Sequence, residues 1–150
     1  VGTAEPQQAG FLQVVEALIE MGADVNAPSP GRDFLLPLHY AAMGGSGTVV
    51  EALLGTGRCE VDARTGPPGR LTPLAIAVGR GRAGAVRALL EHGADPDAEQ
   101  LQGNGFSGGD KSLVHLASHL GRPDIVRLLL EALAFKRAAT AAAAVAEAAA

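Results

Sequence analysis

The sequence predicts an all-α solenoid: a row of stacked helix-turn-helix units joined by hairpin-like finger loops. Three observations predict it. A segment led by Gly recurs four times, at Gly10, Gly45, Gly81 and Gly121. Spacing is constant inside each unit and variable between units, as packed helices and exposed loops respectively require. The composition is 47% hydrophobic but only 3% aromatic, without Trp. The core must therefore come from Ala, Leu and Val, which suits close helices better than a β-sandwich.

The first segment, residues 10–27, runs from Gly10 through Val14-Val15 to the closing Gly22-Ala23-Asp24-Val25-Asn26-Ala27. It reads as the second half of a unit. No first helix is recognisable in residues 1–9, where Pro6 interrupts, so that end is expected to be a degenerate cap or a truncated helix. Residues 36–63 carry both halves. Leu36-Pro37-Leu38-His39-Tyr40-Ala41-Ala42 precedes Gly45, and Val49-Val50 opens a second apolar face that ends at Gly57. Residues 72–98 repeat the arrangement from Thr72-Pro73-Leu74 to Gly93-Ala94-Asp95-Pro96-Asp97-Ala98. Residues 112–133 repeat it with weaker ends, Leu113 standing for Pro and Leu133 for the closing Gly.

Each choice has a physical reason. Pro37 and Pro73 fall in a first helical turn, where a missing N–H is harmless. Thr72 and Ser112 can cap. Gly45, Gly81 and Gly121 can take the left-handed conformation that ends a helix. Val-Val-x-x-Leu-Leu then puts apolar residues on one face of a second helix. Neither helix can bury its face alone, so units must stack. Residues 124–150 hold neither Gly nor Pro and are rich in Ala. The last helix is thus expected to run past Leu133 into the 140s, with residues 134–150 as a helical tail prone to fray.

This pattern resembles the ankyrin repeat, with its Thr-Pro-Leu-His-x-Ala, a Gly, a second helix and Gly-Ala-Asp-Val-Asn. Residues 72–98 match closely, 36–63 well, 10–27 over half a unit and 112–133 less fully. The resemblance covers residues 10–133 and implies an ankyrin-repeat solenoid that binds proteins without catalysis. It also implies a concave groove of fingers and first helices. Carried over by position, the groove residues are Arg32, Asp33 and Leu35, then Arg70 and Leu71, then Phe106 and Lys111 on the fingers. Met43, Arg80 and His119 are the matching positions on the first helices. The long finger of residues 99–111 reads first as an exposed insertion, and second as a contact loop anchored by Phe106.

Other chemistry fares worse. A lone Cys59 makes no internal disulfide and no cysteine zinc site. His115 and His119 have a chelating spacing, but His115 shares the register of His39, where the resemblance implies a hydrogen bond to a neighbouring turn. Asp110, Ser112 and His115 crowd one helix start and lack an oxyanion hole. The Gly-rich loop lacks a phosphate-binding Gly-Lys-Ser/Thr. No metal or cofactor is expected.

The net charge of −4 and the shortage of aromatics disfavour nucleic acid. Arg64, Arg70, Arg80, Arg82 and Arg87 read as solvated surface, or as a match for an acidic partner. No apolar run approaches the ~20 residues that span a bilayer. The expected partner is another protein or peptide, met inside the cell, in the cytoplasm or nucleus. The alternatives are a structural brick of a large assembly and an interaction domain of a longer protein.

Overall fold

The computed structural model describes residues 6–31, 34–66, 70–97 and 112–149. Its helices are α1 (Pro6–Glu20), α2 (Pro37–Gly44), α3 (Gly47–Gly55), α4 (Pro73–Gly79), α5 (Ala83–Glu91), α6 (Leu113–His119) and α7 (Pro123–Ala148). They form two rows. Helices α2, α4 and α6 pack in sequence along one row, and α1, α3, α5 and α7 along the other. Within each full unit the two helices pack on each other, α2 on α3, α4 on α5 and α6 on α7.

The local chemistry explains the boundaries. Thr72 Oγ1 accepts a hydrogen bond from the Ala75 amide at 3.2 Å, and Ser112 Oγ from Val114 at 3.3 Å. Ser46 caps α3 through the Val49 amide. Each first helix ends in a turn carried by a left-handed glycine: Gly45 (φ 78°), Gly81 (67°) and Gly121 (68°). Such a φ strains any residue with a Cβ, which is why glycine stands there.

Gly10 holds the same place in its unit but lies inside α1, without a positive φ. Pro6 begins α1 rather than interrupting a helix, since the first turn needs no proline N–H. Unit one is therefore a single second helix over the described residues.

Between the rows the core is built from small and medium side chains. Leu38, Val50, Leu74, Val78, Val86, Leu89, Leu113, Ile125 and Leu129 are fully buried, with Ala42, Ala77, Ala85 and Ala117 filling the closest approaches. At Gly47 the approach is tighter still. A Cβ added there would stand 2.9 Å from the Gly84 carbonyl oxygen. That α3–α5 seam therefore depends on the bare backbone of Gly47.

Polar links join unit to unit. Asn26 Nδ2 donates to the Arg58 carbonyl at 2.8 Å, and Asp62 accepts from the Asp95 amide at 3.1 Å. His39 ties the start of its unit to the end of the same unit. Its Nδ1 accepts from the Leu36 amide at 3.0 Å, which leaves the proton on Nε2, and Nε2 donates to the Ala63 carbonyl at 2.8 Å. Burial pushes this imidazole below its usual pKa, against backbone hydrogen bonds at Ala63 and Leu71 that raise it. The neutral ring is thus the working form. His115, in the same register, is exposed.

Candidate functional site

Two described fingers lead into α2 and α4. In the second, the Thr65 amide donates to the Leu71 carbonyl at 3.0 Å and the Leu71 amide to Thr65 Oγ1 at 2.9 Å. The first closes similarly, Ser29 N–H donating to the Leu35 carbonyl at 2.8 Å. These bonds close the bases of the two fingers in the same register. The residue three before each helix-starting proline is then the same structural position in both, and Phe34 and Arg70 occupy it. Each has a φ of 44°, and they are the two non-glycine residues with positive φ among those described. Bulky side chains in the left-handed region cost roughly 1–2 kcal/mol each.

Phe34 is 54% exposed despite its apolar ring. Arg70 is exposed too, and its carbonyl accepts from the Arg64 guanidinium at 3.2 Å. Tyr40, one turn into α2, is 50% exposed. Phe34 and Tyr40 were not singled out from the sequence. The sequence carries a signal for Phe34: it is in register with Arg70 and stands beside Leu35-Leu36. Tyr40 is the chain's single Tyr, at the variable position of the His-x-Ala pattern.

Of the residues expected in a groove, Arg70, Arg80 and His119 are exposed. Leu35 is half-buried. Met43 and Leu71 are half-buried as well and lean on the core, so they offer a partner an edge rather than a whole side chain. Arg80 needs a correction of register. The place shared by Met43 and His119 is filled by Gly79, where α4 ends, and Arg80 is the cap beyond it, its amide donating to Ile76 at 2.9 Å. Arg32, Asp33, Phe106 and Lys111 lie outside the described residues.

The arginine-rich stretch divides by task. Arg82 lies over Gly45 and would meet a Cβ there at 2.6 Å, just as Arg122 lies over Gly81 in the next unit. These two side chains cover turns of the preceding unit. Arg64, Arg70, Arg80, Arg82 and Arg87 are all exposed, Arg82 with its stem laid over Gly45. Cys59 is half-buried, and burial raises its thiol pKa against a hydrogen bond to Thr56, so it is a poor nucleophile. No three His, Cys, Asp or Glu side chains cluster as metal ligands among the described residues. Among those residues no helix is long and apolar enough to cross a membrane.

Comparison with known proteins agrees with the architecture. The family model described as "Ankyrin repeats (3 copies)" matches residues 7–100 and 38–140. The chain is 42% identical over 90 residues to the Zygote-specific protein 3 of Chlamydomonas reinhardtii, covering 60% of this chain and 23% of that protein. It is 35% identical over 97 residues to the E3 ubiquitin-protein ligase KEG of Arabidopsis thaliana, covering 63% and 5%. It is 40% identical over 86 residues to the Regulatory protein NPR5 of the same plant, covering 57% and 16%. The chain thus spans less than a quarter of each of these relatives. With two rows of stacked hairpins and a family match over most of its length, this chain belongs to the ankyrin-repeat family.

Proposed function

We propose that the chain is a non-catalytic protein-binding module whose partner docks in a concave groove of finger loops and first helices. Ankyrin repeats are generally protein–protein interaction modules, which supports the class. The observation that carries the site is the pair Phe34 and Arg70. Both keep a bulky, exposed side chain in a backbone conformation that glycine would adopt without strain. Strain of this kind persists where the side chain has a use, and exposed aromatics and arginines are the commonest anchors of interfaces.

The proposed contacts are therefore Phe34, Tyr40 and Arg70, with Leu35, Arg80 and His119 beside them. Arg32, Asp33, Phe106 and Lys111 belong to the same proposal on register alone, and Met43 and Leu71 contribute only edges. Docking is rigid, because stacked units hold these side chains in place before the partner arrives and little ordering entropy is lost. The proposed partner is a folded protein or peptide, met inside the cell, and no cofactor is needed.

The test is a pull-down with the intact chain, read by mass spectrometry, beside Phe34→Gly and Arg70→Gly variants. Both variants should be as stable as the parent or more so, by up to about 1 kcal/mol, because the left-handed strain is relieved. Both should nevertheless lose the partner. Retention of every partner by both variants would overturn the site.

A second reading has its own support. The curated relatives are several times longer than this chain, and Met21 and Phe135 stand widely exposed near opposite ends of the row. Both facts suit an interaction domain or a brick inside a longer protein or assembly. Self-association or aggregation of the isolated chain on size exclusion favours that reading, and a clean monomer the first.

A further inference from the structure

An apolar groove of about 600 Å³ opens at the start of the row. Val15, Leu18 and Ile19 of α1 line it on one side, Tyr40 and Ala41 of α2 on another, with Val49 of α3 at its base. The internal repeat says what shape belongs there. One unit further on, the residues in register with this lining are Val50, Leu53, Leu54, Ile76, Ala77 and Ala85. All of them are buried, and α2 is the helix that packs against α4 and α5 on that side. The groove is therefore the seat of a two-turn helix, and α2 shows the face such a helix presents, with Leu38 and Ala42 turned inward.

Of residues 2–9, which register would assign to that seat, 6–9 are used elsewhere. Gly10 aligns with Gly45, so residues 6–9 align with 41–44, yet 6–9 run straight into α1. Charge then narrows the occupant. Residues 6–31 and 34–57 contain Glu16, Glu20, Asp24 and Glu51 but neither Lys nor Arg, and Asp24 is itself part of the lining.

We propose that the groove between α1, α2 and α3 docks an amphipathic helix of a partner protein, with small aliphatic residues on one face and basic residues along its flanks. Burying half-exposed Leu18 and Tyr40 drives the association, and Asp24, the charged residue of the lining, favours a basic flank and sets orientation. The mode is helix-in-groove recognition with anchors four residues apart. This site shares Tyr40 with the proposed finger surface but is otherwise built from α1, α2 and α3, with neither Phe34 nor Arg70 in its lining.

The test uses the full chain and a stapled helical peptide with Leu and Ala at the spacing of Leu38 and Ala42, flanked by lysines. Methyl resonances of Val15, Leu18, Ile19 and Val49 should shift saturably, with those of α6 and α7 unmoved. Leu18→Glu, a substitution at a half-exposed position, should weaken binding roughly tenfold or more. Tyr40→Ala should weaken it in the same direction and serves if the first variant loses its helical circular dichroism. Glutamate-flanked peptide should bind severalfold more weakly, a difference that salt removes.

Phe34→Gly should leave the peptide affinity unchanged, which keeps this result distinct from that for the fingers. The absence of saturable shifts, or equal affinity in both groove variants, would overturn the proposal. So would groove signals that depend on protein concentration without peptide and lose that dependence when residues 138–150 are removed. A second copy's α7 would then be the occupant.

Discussion

His39 and His115 occupy one position in their units and meet opposite surroundings. The turn that closes its own unit lies over His39, which is fully buried and donates to the Ala63 carbonyl. His115 is exposed, and the place that Ala63 holds falls here inside α7, which runs on without a closing turn. Gly45 and Gly10 make the same contrast at the other end, one turning the chain and the other absorbed in a helix. The repeat pattern thus specifies the hairpin, while rank in the row decides what is buried. In a one-dimensional stack each unit depends on its neighbours, and units at the ends have one neighbour fewer.

The largest expected effect tests that rule directly. Leu74→Ala, in the middle of the stack, should cost about 2–5 kcal/mol because it empties a site packed from both sides. Leu18→Ala, at the half-covered edge, should cost under about 1 kcal/mol. Urea unfolding of both variants measures the gap. Equal costs would mean that α1 is as firmly covered as α4, and the contrast between edge and middle would fall.

The histidines sharpen the contrast with pH as a second axis. His39→Ala leaves the Ala63 carbonyl and the Leu36 amide without their partner and should cost about 2–4 kcal/mol. His115→Ala should stay within about 1 kcal/mol. The folded pKa of His39 is depressed, so its contribution is whole above the unfolded value near 6.5. It is lost as pH falls from there through the folded value, because the unfolded chain then takes up the proton first. Thermal melts between about pH 7.5 and 5 should show that decline in the parent and a flatter profile in His39→Ala.

Gly47→Ala comes next. Alanine favours a helix over glycine by up to about 1 kcal/mol, so at an open site the change would stabilise. Here the new Cβ would press on the Gly84 carbonyl, backbone that cannot swing aside. A net loss of about 1–3 kcal/mol is expected from denaturant melts. Gly55→Ala, in the same helix with open space around it, should not share that loss. A gain at Gly47 would show that α3 and α5 part easily.

How much of this was legible in the sequence follows from what each feature depends on. The hairpins were, since Pro73, Thr72, Gly81 and the apolar pairs act within a few residues of themselves. The length of α7 was legible too, because nothing from Asp124 onward stops a helix. The continuity of α1 was not. Pro6 and Gly10 both have helix-breaking readings, and α1 takes the permissive one, proline in a first turn and glycine with an ordinary φ. The strained pair Phe34 and Arg70 was half-visible, as Arg70 alone, because a left-handed φ depends on closure of the finger rather than on residue type. Arg82 is exposed, as its sequence suggests, but its packing over Gly45 was not legible, because that glycine lies in another unit.

The smallest expected effect concerns the two halves of α7. Up to Leu133 the helix is buried on one face through Ile125 and Leu129, while beyond it every described side chain is exposed. Among the described residues Lys136 links the second half to the stack: its Nζ donates to Asp95 Oδ1 at 2.7 Å, with Asp97 at 3.7 Å. Burial pushes the Asp95 carboxyl up, but the Lys136 hydrogen bond, the Asp97 amide and the charges of Lys136 and Arg64 outweigh it and hold the group below its usual value. Its contribution is therefore present above the unfolded value near pH 4 and lost as pH falls through the folded one. Exposed pairs of this kind contribute little, so Lys136→Ala should barely move the melting temperature, and only at low salt and neutral pH. Its clearer mark should be on amide exchange. Amides after Lys136 should exchange faster than those before Leu133 in the parent, and in the variant that fast zone should advance towards Leu133. If the boundary stays in place, apolar packing alone sets where the helix begins to fray.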